Sequence, residues 1–165
     1  MSLLNQRSYI DPLTGLFNRL YLEHALYEMQ RSGATYYGIM VDMNYFKQIN
    51  DTYGHSAGDQ ALRETARIFR METDSRSTIF RYAGDEFIIL TRAGGEEEIL
   101  GLEQKLRNAA DRFNATGEQP YQLSFSVGHD CFDRENDNED TFLKKIDNAM
   151  YVNKAEMHAM LEKAG

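Results

Sequence analysis

The stretch that most restricts the fold is the run from Thr78 to Thr91. Two strand-like segments, Thr78-Ile79-Phe80-Arg81 and Ile88-Ile89-Leu90-Thr91, flank Tyr82-Ala83-Gly84-Asp85-Glu86-Phe87. Apolar and β-branched runs on either side of a short, glycine-containing centre predict a β-hairpin. Two consecutive carboxylates, Asp85 and Glu86, stand at its turn. A hairpin tip presents charge rather than hiding it, so this pair is a candidate for holding a metal ion and the phosphates bound to it.

A second strand is predicted over Thr35–Asp42, which is aromatic, β-branched and nearly all apolar. Such a run suits a strand covered on both faces. It ends in Asp42, which reads either as the N-cap of the helix that follows or as a ligand. A helix is expected from Arg19 to about Gln30, with Leu22, Ala25, Leu26 and Met29 on one face and Ser32-Gly33 as its stop. Asn44–Asn50 reads as a short helix and Asp51–Asp59 as a long polar loop of the kind that carries function. Further helices are expected over Gln60–Met71, from Gly94-Gly95-Glu96-Glu97-Glu98 to about Phe113, and from Phe142 past Lys154. A strand is expected over Tyr121–His129 and a solvated acidic loop over Asp133–Asp140. The order α, β, α, α, β-hairpin, α, β, α predicts an α+β fold with a central, mostly antiparallel sheet flanked by helices; this arrangement resembles the ferredoxin-like palm of nucleotide polymerases and cyclases, the nucleotidyl cyclase type.

At 165 residues the chain reads as a single domain over 9–165, with 1–8 as a cloning scar or linker and the last helix extended or cut short. The net charge of −8 argues against nucleic acid as a partner. A single cysteine, Cys131, excludes an internal disulfide, and no apolar run approaches the roughly 18 residues of a membrane span. These features point to the cytoplasm without direct membrane contact, although a parent protein anchored in a membrane fits them too.

If the strands ending at Asp42 and Asp85 are neighbours, the two carboxylates meet at one edge of the sheet. With the Met43 carbonyl they make a hard-oxygen set suited to magnesium. Lys47, one helical turn further on, is within reach of a phosphate. From spacing alone, this reading and a pair of exposed acids beside a surface lysine stay equally open.

The motifs resemble those of the GGDEF, or diguanylate cyclase, family over about Asp11 to Lys154. Asp11-Pro-Leu-Thr-Gly-Leu-Phe-Asn-Arg19 is similar to its opening signature. Asp42-Met-Asn-Tyr-Phe-Lys47, Ile49-Asn50-Asp51, Gly54-His55 and Gly58-Asp59 are similar to its metal and guanine segment. Arg81-Tyr-Ala-Gly-Asp-Glu-Phe87 resembles the name motif. Ser126-Val127-Gly128 and Asp147, Ala149-Met-Tyr151 and Lys154 are similar to later blocks.

The resemblance implies condensation of two GTP into cyclic di-GMP and two pyrophosphates by two domains meeting face to face in a homodimer. It implies magnesium or manganese held by Asp42, the Met43 carbonyl and Asp85, with Glu86 as a supporting carboxylate. Asp85 would also accept the hydroxyl proton, and Lys47 and Lys154 would hold phosphates. Asn50 and Asp59 would read the guanine, with His55 nearby. A sensor or effector domain outside this chain would supply regulation.

Four places depart from the family pattern. Ala83 replaces the first glycine of the name motif. Asp74 and Ser77 stand where many members carry an inhibitory product site, so none is expected. His158 falls on a phosphate-binding arginine, and a continuing helix replaces a last strand. The alternative implied function is a domain that binds GTP and regulates an attached partner without catalysis. Gly94-Gly95-Glu96-Glu97-Glu98 reads as a helix start that only mimics the name motif, because glutamates complement the dipole of a first turn.

Overall fold

The computed structural model describes residues 8–92 and 94–164. Met1–Arg7, and with them most of the expected 1–8 linker, lie outside the described residues. The elements are α1 (Arg19–Ser32), β1 (Tyr37–Met43), α2 (Phe46–Tyr53), α3 (His55–Glu72), β2 (Ser77–Ala83), β3 (Glu86–Thr91), α4 (Glu96–Thr116), β4 (Phe125–Cys131) and α5 (Glu139–Ala164). Among the described residues the four strands form one antiparallel sheet in the order β2-β3-β1-β4. This is the expected α+β, ferredoxin-like arrangement.

Both faces of the sheet are covered, as the apolar runs of β1 and β3 require. Ile39, Val41 and Met43 of β1 pack with Phe87 and Ile89 of β3 against Leu62 and Phe69 of α3 and Leu106 of α4. Met40, Ile88 and Leu90 face the other way, against Leu22 and Leu26 of α1 and Phe142, Ile146 and Met150 of α5. The period-two alternation of strand side chains sorts these residues into two cores. Asp42 and Glu86 continue the second set at the strand ends, so their side chains leave the sheet toward α5.

Three local expectations need correction. Asp51–Asp59 is not a loop: α2 runs to Tyr53, and α3 begins at His55. The break is a single residue, Gly54 at φ 92°, whose N–H caps the Asn50 carbonyl at 2.9 Å. The end of α2 and the start of α3 are both exposed and polar, and two such turns joined at a glycine look like loop in sequence. Asp42 is not a helix cap, because β1 continues to Met43 and Tyr45 is the N-cap of α2. The last strand starts at Phe125 rather than Tyr121. The false name motif is a helix start as expected, with Glu98 Oε2 accepting from the Gly94 N–H at 2.8 Å. α5 continues past Lys154 to Ala164. No helix among the described residues is long and apolar enough to cross a membrane.

Candidate active site

The site is built where β1 and β3 end together. Asp42 is directly opposite Glu86 across the β1–β3 pair and opposite Ser126 across the β1–β4 pair. The hairpin tip leans over the end of β1, with the Met43 N–H donating to the Asp85 carbonyl at 3.1 Å. Asp42 is 4% exposed, and its carboxylate is met by Lys154 Nζ from α5 at 2.5 Å.

The carboxylates crowd one another. Burial pushes the Asp85 carboxyl above its usual range, and the neighbouring Asp42 charge pushes it further. Burial likewise raises Glu86, helped by Asp42, Asp85 and Asp147. Lys154 moves the opposite way in charge terms: its hydrogen bond to Asp42 holds the ammonium protonated above its ordinary pKa. A cleft of about 300 Å³ opens here between the sheet and α5, lined by Asp42, Glu86, Lys144, Asp147, Tyr151 and Lys154. A larger cleft of about 540 Å³ lies between α3 and α4. Its arginines Arg67 and Arg112 are tied to Glu64 and Glu72, so it offers no comparable concentration of unbalanced charge.

Asp42, Asp85, Glu86 and Lys154 are thus brought together from three segments. Lys47 is exposed in the first turn of α2 and forms no ion pair with a described residue. Asn50, His55 and Asp59 gather at the α2–α3 junction. Asn50 lies against Gly58, where a Cβ would come within 2.8 Å of its Cγ. That close approach explains the second glycine of the segment. His55 and Asp59 are exposed on the first turns of α3. No group of three or more His, Cys, Asp or Glu side chains among the described residues forms a metal cluster by itself. Two mutually repelling carboxylates beside main-chain oxygens nevertheless have the hard-donor chemistry that suits a magnesium-like cation.

Sequence reasoning missed the parts that hold these groups in place. Arg81 donates from Nε and Nη2 to the Gly84 carbonyl at 3.1 and 2.9 Å, and from Nη1 to Asp11 at 3.2 Å. The hairpin tip is therefore tied to the chain's entry segment. Burial pushes Asp11 up, but the Thr14 hydroxyl and N–H together with Arg81 outweigh it and hold its carboxyl below the usual range. Buried Asn44 bonds Ser124 Oγ at 3.0 Å and accepts from Ser126 Oγ at 2.7 Å. The Val127 N–H donates to Asn153 of α5 at 2.8 Å. Opposite charge within two of the motifs, Asp11 and Arg81, was the available signal for the clamp. Nothing in the sequence pairs Asn153 with β4.

Ala83, the departure in the name motif, is an exposed β2 residue opposite Glu86 with no positive φ. Its backbone makes no conformational demand for glycine.

A family model described as "Diguanylate cyclase, GGDEF domain" matches residues 8–160. Diguanylate cyclase DosC of Escherichia coli (strain K12) is 32% identical over 151 residues, which cover 88% of this chain and 33% of that protein. Diguanylate cyclase A of Treponema denticola is 30% identical over 142 residues, covering 84% and 38%. This chain spans about a third of the length of these curated relatives. Among solved structures, diguanylate cyclase SiaD of Pseudomonas aeruginosa, in complex with its activator SiaC, aligns with a TM-score of 0.81 at 30% identity, over 93% of this chain and 60% of that one. The coiled coil and GGDEF domain of DgcB from Caulobacter crescentus, in complex with c-di-GMP, aligns at 0.83 and 22% identity over 93% and 84%, a likeness of fold.

Proposed function

The chain belongs to the GGDEF family of diguanylate cyclases, and from that premise we propose that it condenses two GTP into cyclic di-GMP with release of two pyrophosphates. Each copy holds one GTP, so the reaction takes place between two copies in a homodimer. The observation that carries this reading is the meeting of Asp42 and Asp85, 43 positions apart, under the ammonium of Lys154 at one end of the sheet.

Asp42, Asp85 and the Met43 carbonyl would hold magnesium or manganese, with Glu86 in support. A bound divalent cation would supply electrostatic stabilisation of the charge that develops on the phosphates. Asp85 accepts the proton of the attacking 3′-hydroxyl. Lys47 and Lys154 hold phosphate oxygens. Lys154 balances Asp42 in the free protein and is at hand for phosphate once that carboxylate acts as a ligand. Asn50 and Asp59 pair with the guanine edge, and His55 stands beside them. Asp74, tied to Arg76, and Ser77 offer no product site, so added cyclic di-GMP leaves the initial rate unchanged. Tight product binding lost on changing Asp74 or Ser77 overturns that part.

A second reading is a GTP-binding domain that regulates an attached partner without cyclising. His158 favours it, because its ring lies on Tyr45 where the family pattern has a phosphate-binding arginine. Incubation with GTP and magnesium, followed by chromatography, separates the two. Cyclic di-GMP that disappears on chelation and in Asp42→Ala supports cyclisation; GTP binding without product supports the second.

A further inference from the structure

Tyr45 is the only non-glycine residue with positive φ among the described residues, at 61°. A side chain there is disfavoured and persists only when its surroundings hold it. Tyr45 is also the N-cap of α2, and its side chain makes no capping hydrogen bond. It stands between Met43 and Lys47, so its conformation sets how α2 leaves the sheet. The support comes from α5, across more than 110 positions of sequence. Met157 Sδ accepts from Asn44 Nδ2 at 3.7 Å, and the next residue, His158, stacks on Tyr45 with ring centroids 5.4 Å apart and planes 19° apart.

That stack carries a cost. His158 Nε2 is buried without a hydrogen-bond partner among the described residues, and an unpaired buried nitrogen is unfavourable. The contact His158 does make is through its ring face. We propose that His158 is a positioning residue whose stack on Tyr45 holds the left-handed turn between β1 and α2, and so aims Lys47 and the Met43 carbonyl. The proposal rests on the cyclase reading for its consequence in turnover, and on the stack alone for its consequence in the turn.

The test compares His158→Ala, His158→Phe and His158→Gln. The first readout is amide exchange of Ile49, whose N–H donates to the Tyr45 carbonyl at 3.1 Å, in protein without nucleotide. Ala and Gln speed that exchange by about two- to tenfold, the range for losing one aromatic contact. Phe keeps the protection, because it keeps the ring face and removes the unpaired nitrogen. The second readout is the KM for GTP, which rises with Ala and Gln and stays near the parent value with Phe.

Protection unchanged in Ala, or protection kept by Gln and lost in Phe, overturns the proposal. If His158→Ala unfolds more widely, Tyr45→Gly decides: glycine accepts the left-handed turn unaided, so adding His158→Ala to it leaves Ile49 exchange unchanged. An equal effect of His158→Ala in both backgrounds refutes the coupling. A parent that makes no cyclic di-GMP defeats the cyclase reading and leaves the exchange measurements to judge the stack.

Discussion

Replacing Gly128 with alanine adds one methyl group where β4 passes beneath α5, and the effect on the site can be worked out from that contact. A Cβ at Gly128 falls 2.6 Å from Met150 Cα, and closer still to the Met150 nitrogen and the Ala149 carbonyl carbon. These are helix backbone atoms and cannot rotate away. Ordinary contact requires α5 to lift by about 1.5 Å. Overpacking of this kind costs about 3 kcal/mol, the upper part of the usual range. For a chain of this size that lowers Tm by roughly 6–12 °C.

The same lift reaches the site, because Lys154 follows Met150 by one helical turn. Its 2.5 Å contact with Asp42 opens to about 4 Å, the limit of an ion pair. A displacement of about 1 Å at reacting groups can cost on the order of 100-fold in rate. Cyclic di-GMP formation, measured well below the variant's Tm, should therefore fall far more than the folded fraction does. Gly38→Ala is the control. Its Cβ meets the tip of the buried Phe142 ring at 2.6 Å, a side chain rather than helix backbone, and Gly38 pairs with Leu90 and Asp130 at the other end of β1. It should cost about 2 kcal/mol and spare turnover, because the strain falls at the far end of β1 from Asp42. A Gly128→Ala protein with the parent's Tm, or with no greater loss of turnover than Gly38→Ala, refutes this account of how α5 seats Lys154.

Asp85→Asn should abolish cyclisation and raise Tm at neutral pH. Burial and Asp42 lift the Asp85 pKa in the folded state above its unfolded value, so ionisation costs stability as pH rises, and the gain from Asn should vanish toward about pH 4; a Tm at pH 7 no higher than the parent's contradicts this. Arg81→Ala strips the Gly84 carbonyl of two donors and Asp11 of its cation, costing about 2 kcal/mol in thermal melts and more in turnover. Arg81→Lys should rescue little, since an ammonium lacks the fork; full rescue would show that charge alone suffices. Ala83→Gly should lower stability by about 0.5–1 kcal/mol, because glycine in a strand loses more entropy, and should leave cyclic di-GMP formation near the parent's. An inactive parent made active by that one change would reverse the reading of Ala83.

Much of the fold was legible because its signals are local. The apolar run Thr35–Asp42 became β1 within two residues at its start and one at its end, and the hairpin around Gly84-Asp85 formed where punctuation placed it. α1 ended at Ser32, followed by Gly33 in the left-handed region. The misreading of Asp51–Asp59 has a local cause as well. The stretch joins the exposed last turn of α2 to the exposed first turn of α3 across Gly54, so it carries polar composition and glycine punctuation with no apolar face for periodicity to show. The candidate site was legible in part: motif residues named Asp42, Asp85 and Lys154, while the contacts by which Arg81, Asn44, Asn153 and His158 support them join segments far apart in sequence and were not read.

The sequence by itself determined most of the strands and helices, the alternation of side chains within each strand, and the resemblance that names the candidate residues. Those follow from neighbours within a few positions. Only the tertiary structure decided that Asp42 spends its charge on Lys154, 112 positions away, and that His158 lies on Tyr45. Both depend on where α5 rests on β4, and that position is set by packing at Gly128, which no local pattern encodes.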